Sequence, residues 1–350
     1  VKDGRTIPRI WDRRAFMRRA LVTIGVVVVA LFGSVPVQAD VQSASQATID
    51  GAVIFSTPPP TTAPIGVSPD VFFVDDTQTY ILLTTSNPPI QYSSKDGVNW
   101  VPTDVALPQG FDWSIVREGP SAYRLYFAEI NPSVAGQGPP PPCTPGSKRL
   151  RYAVSSDLRT WTVQPNVLLD DVGCGVPHVM KTRDGRYFLY FNKRDPVHGI
   201  YVATSTDGLS WQVRDGLVGG DSNLVDPAPI EMPDGTFLMV GSTTGQGGFQ
   251  ELQLLRSSDG VTWSKRRSDL YSAPGASVLD PSIELIDGRL RVWFGYAPGG
   301  SHANARIASG VIVLGNVKVA KGKKCTAKGA ISASLTCKQV KGKWVWSPLS

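Results

Sequence analysis

Three features of the sequence predict an all-β fold, a five-bladed β-propeller. A serine-led phrase, Asp-x-x-x-Trp, occurs four times and ends at Trp100, Trp161, Trp211 and Trp263. The intervals between these tryptophans, 61, 50 and 52 residues, suit a unit of a few short strands. The chain is also rich in turn formers, with 35 Gly and 28 Pro among 350 residues, and poor in helix signals.

Each repeat reads as one blade. In the third, residues 176–182 form an inner strand and Arg183-Asp184-Gly185-Arg186 a turn. Residues 187–192 and 200–205 supply the next two strands, and a fourth starts at Trp211. Asp-Gly between alternating apolar runs is a strong hairpin signal. Inner strands of this kind begin near Asp70, Asp112, Val176, Asp226 and Asp280, which makes five. The fifth blade has three strands, ending at residues 307–314, and lacks the phrase. Residues 52–56 are expected to supply its missing strand, because such closure leaves no open sheet edge. The four phrases read as scaffold: the Asp accepts turn N–H groups and the Trp packs between blades.

Regions outside the blades have other compositions. Residues 1–39 resemble an export signal of the twin-arginine type. Arg13-Arg14-Ala15-Phe16-Met17-Arg18 precedes an apolar run, and Val37-Gln38-Ala39 forms a small-residue cleavage site before Asp40. The apolar run is shorter than the roughly 20 residues that span a bilayer. A bacterial protein that is secreted or extracytoplasmic is expected. Residues 40–66 then carry the closing strand, 67–315 the propeller, and 316–350 a small basic β-hairpin module. The first and last of these four regions carry +5 and +8, which leaves −7 for the body against a total of +6. The basic balance therefore gives no support to nucleic acid as a partner.

Four cysteines in an oxidising compartment suggest disulfides, and proximity favours Cys143 with Cys174 and Cys325 with Cys337. Three scattered histidines and no CxxC give no metal signature. No cofactor is expected, although an axial cation could sit among the acids described next.

In an up-and-down blade, alternate connections share a face. Asp70, Asp112, Asp226 and Asp280 therefore fall together at one mouth of the axial channel. Around them come His178, near the start of an inner strand, and the loop residues His198, His302 and Arg306. Close carboxylates raise one another's pKa and suit general acid/base chemistry, including glycoside hydrolysis. Glu118, before a second strand, reads as a turn residue on the opposite face.

Over residues 67–314 the chain resembles the five-bladed glycosidases, the arabinanase and β-xylosidase group called family 43, and their invertase-like relatives. The Asp-Pro inner strands, the Tyr-x-Leu second strands and the Ser-x-Asp-Gly-x-x-Trp phrases carry the likeness. It implies a base Asp on blade one, a second Asp as modulator, and an acid Glu in a Glu-x-Pro phrase. Asp70 matches the first, in Pro69-Asp70-Val71, and Asp226 the second, with Asp280 an equal copy. Gly175 stands where the Glu is expected, before Val176-Pro177-His178. The tail resembles a Lys-rich, Cys-pair module of secreted actinobacterial proteins.

Two functions follow as expectations. One is a secreted, monomeric glycoside hydrolase acting on oligo- or polysaccharide through Asp70, Asp226 and Asp280, with Asp112, His178, His198, His302 and Arg306 binding substrate. The other is a non-catalytic propeller that binds glycan or, through its tail, a cell-envelope polymer.

Overall fold

A computed structural model describes residues 53–134, 143–194, 196–286, 289–312, 331–332, 335–340 and 343–348. The export signal, Cys325 and Asp287 lie outside these residues. The described chain forms five four-stranded antiparallel sheets and one small three-stranded sheet.

The sheets are the blades. Blade one is β2 (Val67–Val74), β3 (Thr79–Thr85), β4 (Ile90–Ser94) and β5 (Val101–Pro102). Blade two is β6 (Phe111–Gly119), β7 (Ala122–Ile130), β8 (Lys148–Ser155) and β9 (Thr162–Val163). Blade three is β10 (Gly175–Lys181), β11 (Tyr187–Lys193), β12 (Gly199–Ser205) and β13 (Gln212–Val213). Blade four is β14 (Leu224–Glu231), β15 (Phe237–Thr244), β16 (Gln250–Ser257) and β17 (Trp263–Tyr271). Blade five takes β18 (Ala276–Ile286), β19 (Arg289–Pro298) and β20 (Arg306–Ile312) from its own sequence. Its fourth strand is β1 (Val53–Ser56), which pairs with β20 from Val53 opposite Ile312 to Ser56 opposite Ser309. The expected closure is thus present.

Phe55 of the closing strand packs on Tyr271 and Phe294 at ring-centroid distances of 4.0 and 5.6 Å, and Thr57 is hydrogen-bonded to Tyr271. The chain then runs beside β20, where Ile307 N donates to Pro64 O and Gly66 N to Ala305 O, before entering blade one.

The core lies between blades. One apolar cluster fills each of the five interfaces; that between blades one and two, for example, joins Ile81 and Leu83 to Trp113, Ile115, Leu125 and Phe127. This follows from the inner strands being apolar on both faces, as in a sheet covered on each side.

The Asp-x-x-x-Trp turns behave as scaffold. In each, one carboxylate oxygen accepts two backbone N–H groups, as Asp207 does from Leu209 at 2.7 Å and Ser210 at 2.8 Å. The turn also clamps the preceding blade. Trp293 Nε1 donates to Gly97 O at 2.7 Å, Tyr126 OH to Gly208 O at 3.0 Å and Tyr190 OH to Gly260 O at 2.6 Å. The residue after the Asp is left-handed, and it is Gly in three turns; Leu158 holds the same conformation at φ 60° in the fourth.

At the far end of the chain, β21 (Ile331–Ser332), β22 (Leu335–Val340) and β23 (Lys343–Pro348) make the small sheet, with β22 and β23 as a hairpin. No helix among the described residues is long and apolar enough to cross a membrane.

Candidate functional site

A single backbone device, repeated in all five inner strands, builds the mouth of the axis. Each strand carries a bulge near its start, and the bulged residue has φ between 48° and 56°: Ser68, Asp112, Val176, Asp226 and Asp280. Left-handed geometry costs energy for any residue with a Cβ, least for Asp and Asn and most for β-branched ones. Three of the five positions hold Asp, and Val176 is the outlier.

The bulge aims each of these carboxylates across the blade boundary. Asp112 Oδ2 accepts the Val176 N–H at 2.9 Å, and Asp280 Oδ2 accepts the Ser68 N–H and hydroxyl, each at 3.1 Å. The Asp280 amide faces Asp226 in the same way. Asp226 is further held by Asn192 Nδ2 at 2.9 Å and Gln250 Nε2 at 3.1 Å, and Asp112 by Thr85 Oγ1 at 3.2 Å. All three are buried. Burial raises the pKa of Asp226, with Asn192 opposing. Burial and then the Asp226 and Asp112 charges push Asp280 well above its usual value.

Asp70 does not join them. Ser68-Pro69 is blade one's counterpart of Asp226-Pro227 and Asp280-Pro281, so Ser68 takes the bulge and Asp70 falls two residues further along the strand. There its Oδ2 accepts the Ile115 N–H at 2.9 Å, as Ser282 Oγ accepts from Val71 and Ser114 Oγ from Val179. The proline before Asp70 signals this phase in the sequence.

The mouth itself is tight. Pro69, Trp113, Pro177, Pro227 and Pro281 ring it beside Asp112 and Asp280, leaving about 10 Å³ of open volume. That is the room of roughly one water. His178 lies at the floor of this space.

The other predicted residues are spread around the rim. His198 is half-buried, with Nδ1 3.0 Å from Ser222 O. His302 is exposed, on a short turn. Arg306 is occupied in holding the entering chain, donating to Ala63 O at 2.8 Å. Cys143 and Cys174 form the expected disulfide, which pins the loop before β8 to the start of β10.

Lys148 was not foreseen. Its ammonium donates to Cys174 O, and its pKa is lowered by burial, with Asp112 opposing. A Cβ on Gly175 would come 2.8 Å from Asp112 Oδ2 and 3.3 Å from Lys148 Nζ, and Gly175 has φ 95°. Lys148 and Asp112 therefore hold the space where the resemblance expects an acid side chain. Glu118 is not a free turn residue: it lies within β6, one residue before its end, pairs with Lys181 at 2.7 Å and Arg124 at 3.2 Å, and accepts from Tyr187 OH at 2.5 Å.

No family model matches the chain, and no curated protein matches it. Solved structures of similar fold are found. The endo-arabinase of Bacteroides thetaiotaomicron is 17% identical, aligned over 74% of this chain and 97% of that one, with a TM-score of 0.56. The α-L-arabinanase of Cellvibrio cellulosa, solved with arabinohexaose, is 12% identical over 81% and 95%, with a TM-score of 0.52. An N-acetylgalactosamine deacetylase from F. plautii, solved with blood group B trisaccharide, is 16% identical over 75% and 95%, with a TM-score of 0.51. The fold is that of five-bladed propeller glycoside hydrolases, and the deacetylase shows that it also serves other chemistry.

Proposed function

We propose that this protein acts on glycans as a recognition propeller of the hydrolase fold, binding them at the mouth-side rim without cleaving them. The observation that carries this reading is the state of the mouth. Its three bulge aspartates bracket neighbouring blades, and the space before them admits about one water. A sugar ring held for hydrolysis needs two carboxyl groups about 5–10 Å apart on either side of the scissile bond in an open cleft. Ser68, Val176 and Gly175 put no acid at the remaining bulges or at the position of the expected Glu.

The disulfide at the rim supports an extracytoplasmic setting, in line with the export-type leader. The Lys-rich tail would add attraction to anionic envelope polymers.

The neighbours make arabinan and xylan the first polymers to test. Disulfide-intact protein should bind at least one immobilised plant or microbial polysaccharide saturably and release no reducing ends from it. Absence of binding across a broad glycan array would remove the proposal.

A second reading, hydrolysis, is favoured by one observation: Asp226 and Asp280 are adjacent buried carboxyls, both raised by burial, and Asp280 also by the Asp226 charge. In that case Asp280 would be the acid and Asp226 the base. Turnover that is lost in Asp226→Asn would replace the first reading by this one.

A further inference from the structure

The axis holds a second cavity. It lies below His178, opens on the face away from the aspartate ring, and has a volume of about 400 Å³. His178 lines both spaces and so forms the partition between them.

Three polar side chains face this channel with hydrogen-bonding capacity unspent. Asp70 is only 4% exposed; it gives one oxygen to the Ile115 N–H, and its Oδ1 has no protein partner among the described residues. Among the described residues Glu284 accepts only the Phe73 N–H, at 3.3 Å. Neither ring nitrogen of His178 is hydrogen-bonded to the protein among the described residues. Val71, Ile115, Val179 and Ile283 form apolar walls between them. Asp70 is buried, while Glu284 and His178 are half-buried where they line the channel; a buried carboxyl with so little satisfaction is uncommon in a folded interior and marks a place where a ligand or ordered water completes the bonding.

The charges select the ligand. Arg117 and Lys181 stand toward the open end paired with Asp76 and Glu118, and Arg183 lies beside Glu231, so charges of both signs line the entry and favour neither a small cation nor an anion there. The acids inside disfavour an anion. Burial, together with the Asp70 charge acting on Glu284, raises these two carboxyls to about 7 and about 8, so near neutrality they offer both donors and acceptors. Burial lowers His178 to about 4 and keeps it neutral, with one donor and one acceptor nitrogen. A neutral molecule bearing several hydroxyls on an apolar C–H frame meets all these conditions.

We propose that the axial channel binds a single neutral sugar ring, or a polyol of that size, through Asp70, Glu284 and His178. The site is distinct from the mouth-side rim and does not depend on what binds there.

The full, disulfide-bonded chain would be titrated with free L-arabinose, D-xylose, D-galactose and glycerol by ligand-observed NMR, with methylammonium and calcium as competitors. At least one of the four should bind saturably. Glu284→Gln should weaken it about tenfold or more, and Ile230→Trp, which fills the channel from its wall, should abolish it. Val213→Thr, on the exposed outer strand of blade three, should change nothing. No binding, binding that survives both channel variants, or displacement by methylammonium or calcium at concentrations below the sugar would overturn the proposal. Thermal unfolding of each variant separates loss of the site from loss of the fold, and the conservative Glu284→Gln decides the matter if Ile230→Trp misfolds.

Discussion

Replacing Asp70 by Asn should change how the stability of this propeller depends on pH. Asp70 is 4% exposed, and burial raises its carboxyl from 3.8 to about 7 against the pull of the Ile115 N–H. The folded chain thus holds this proton more tightly than the unfolded chain does. Its contribution to stability is full below pH 4 and is lost as pH rises through 7. At about 1.4 kcal/mol per pH unit, the interval from 3.8 to about 7 corresponds to roughly 4 kcal/mol. Asn keeps an acceptor for Ile115 and never ionises. Thermal unfolding of both proteins from pH 4 to pH 9 should therefore show Asp70→Asn level with or below wild type in acid and above it in base. At roughly 2–4 °C per kcal/mol, the difference in Tm should swing by about 10 °C. Glu284, raised by burial to about 8, loses stability in the same direction. His178, lowered to about 4, contributes stability above 6.5 that is lost as pH falls toward 4. Both groups remain in the variant, so the difference between the two proteins isolates Asp70 together with its effect on Glu284. A Tm difference that stays flat to within about 2 °C across the range would refute the reasoning.

Other perturbations test the scaffold. Asp207→Ala removes the acceptor of two turn N–H groups and should cost about 1 kcal/mol in urea unfolding, in line with loss of a side-chain cap. Replacing Cys143 and Cys174 together by Ser opens a link across 31 residues; by chain entropy it should cost about 3–4 kcal/mol, read as a fall in denaturation midpoint. Gly175→Glu, which installs the acid that the family resemblance expects, should destabilise by more than about 2 kcal/mol and confer no glycosidase activity, because φ is 95° and Asp112 and Lys148 hold the space. Val176→Asn should stabilise by about 1 kcal/mol, since Asn tolerates the left-handed backbone that a β-branched residue resists.

The blade count, the closing strand and the role of the Asp-x-x-x-Trp turns were legible because each rests on a local pattern repeated at blade spacing. The disulfide at the rim was legible from compartment and proximity. What the sequence hid was phase. Asp70 looks like Asp112, Asp226 and Asp280 when strands are aligned by their acids, but aligning them by Ser68-Pro69, Asp226-Pro227 and Asp280-Pro281 moves it two residues along. A bulge shifts register by one residue, and no periodicity announces where it sits. Glu284 was missed for a related reason. It alternates with Ser282 on the same side of β18, yet reads as an ordinary strand-end acid until the fold places it on the wall of the axial channel. Lys148 was hidden because its partners lie far away in sequence, at Asp112 and Cys174.

The pairing of β1 with β20 has a consequence for how the molecule is made. Val53 meets Ile312, so of the described propeller strands the earliest in the chain is the last to find its place. Every other blade pairs strands that are close in sequence and can assemble as the chain lengthens. The ring stays an open arc until the final blade exists, with β20 offering bare backbone groups and Phe55 without the cleft formed by Tyr271 and Phe294. Truncation from either end therefore meets the same fate. A nascent chain stalled short of Ile312, and a mature chain trimmed past Ser56, both present an unzipped seam to proteases and to other copies. Completion of the circle serves as the molecule's own checkpoint.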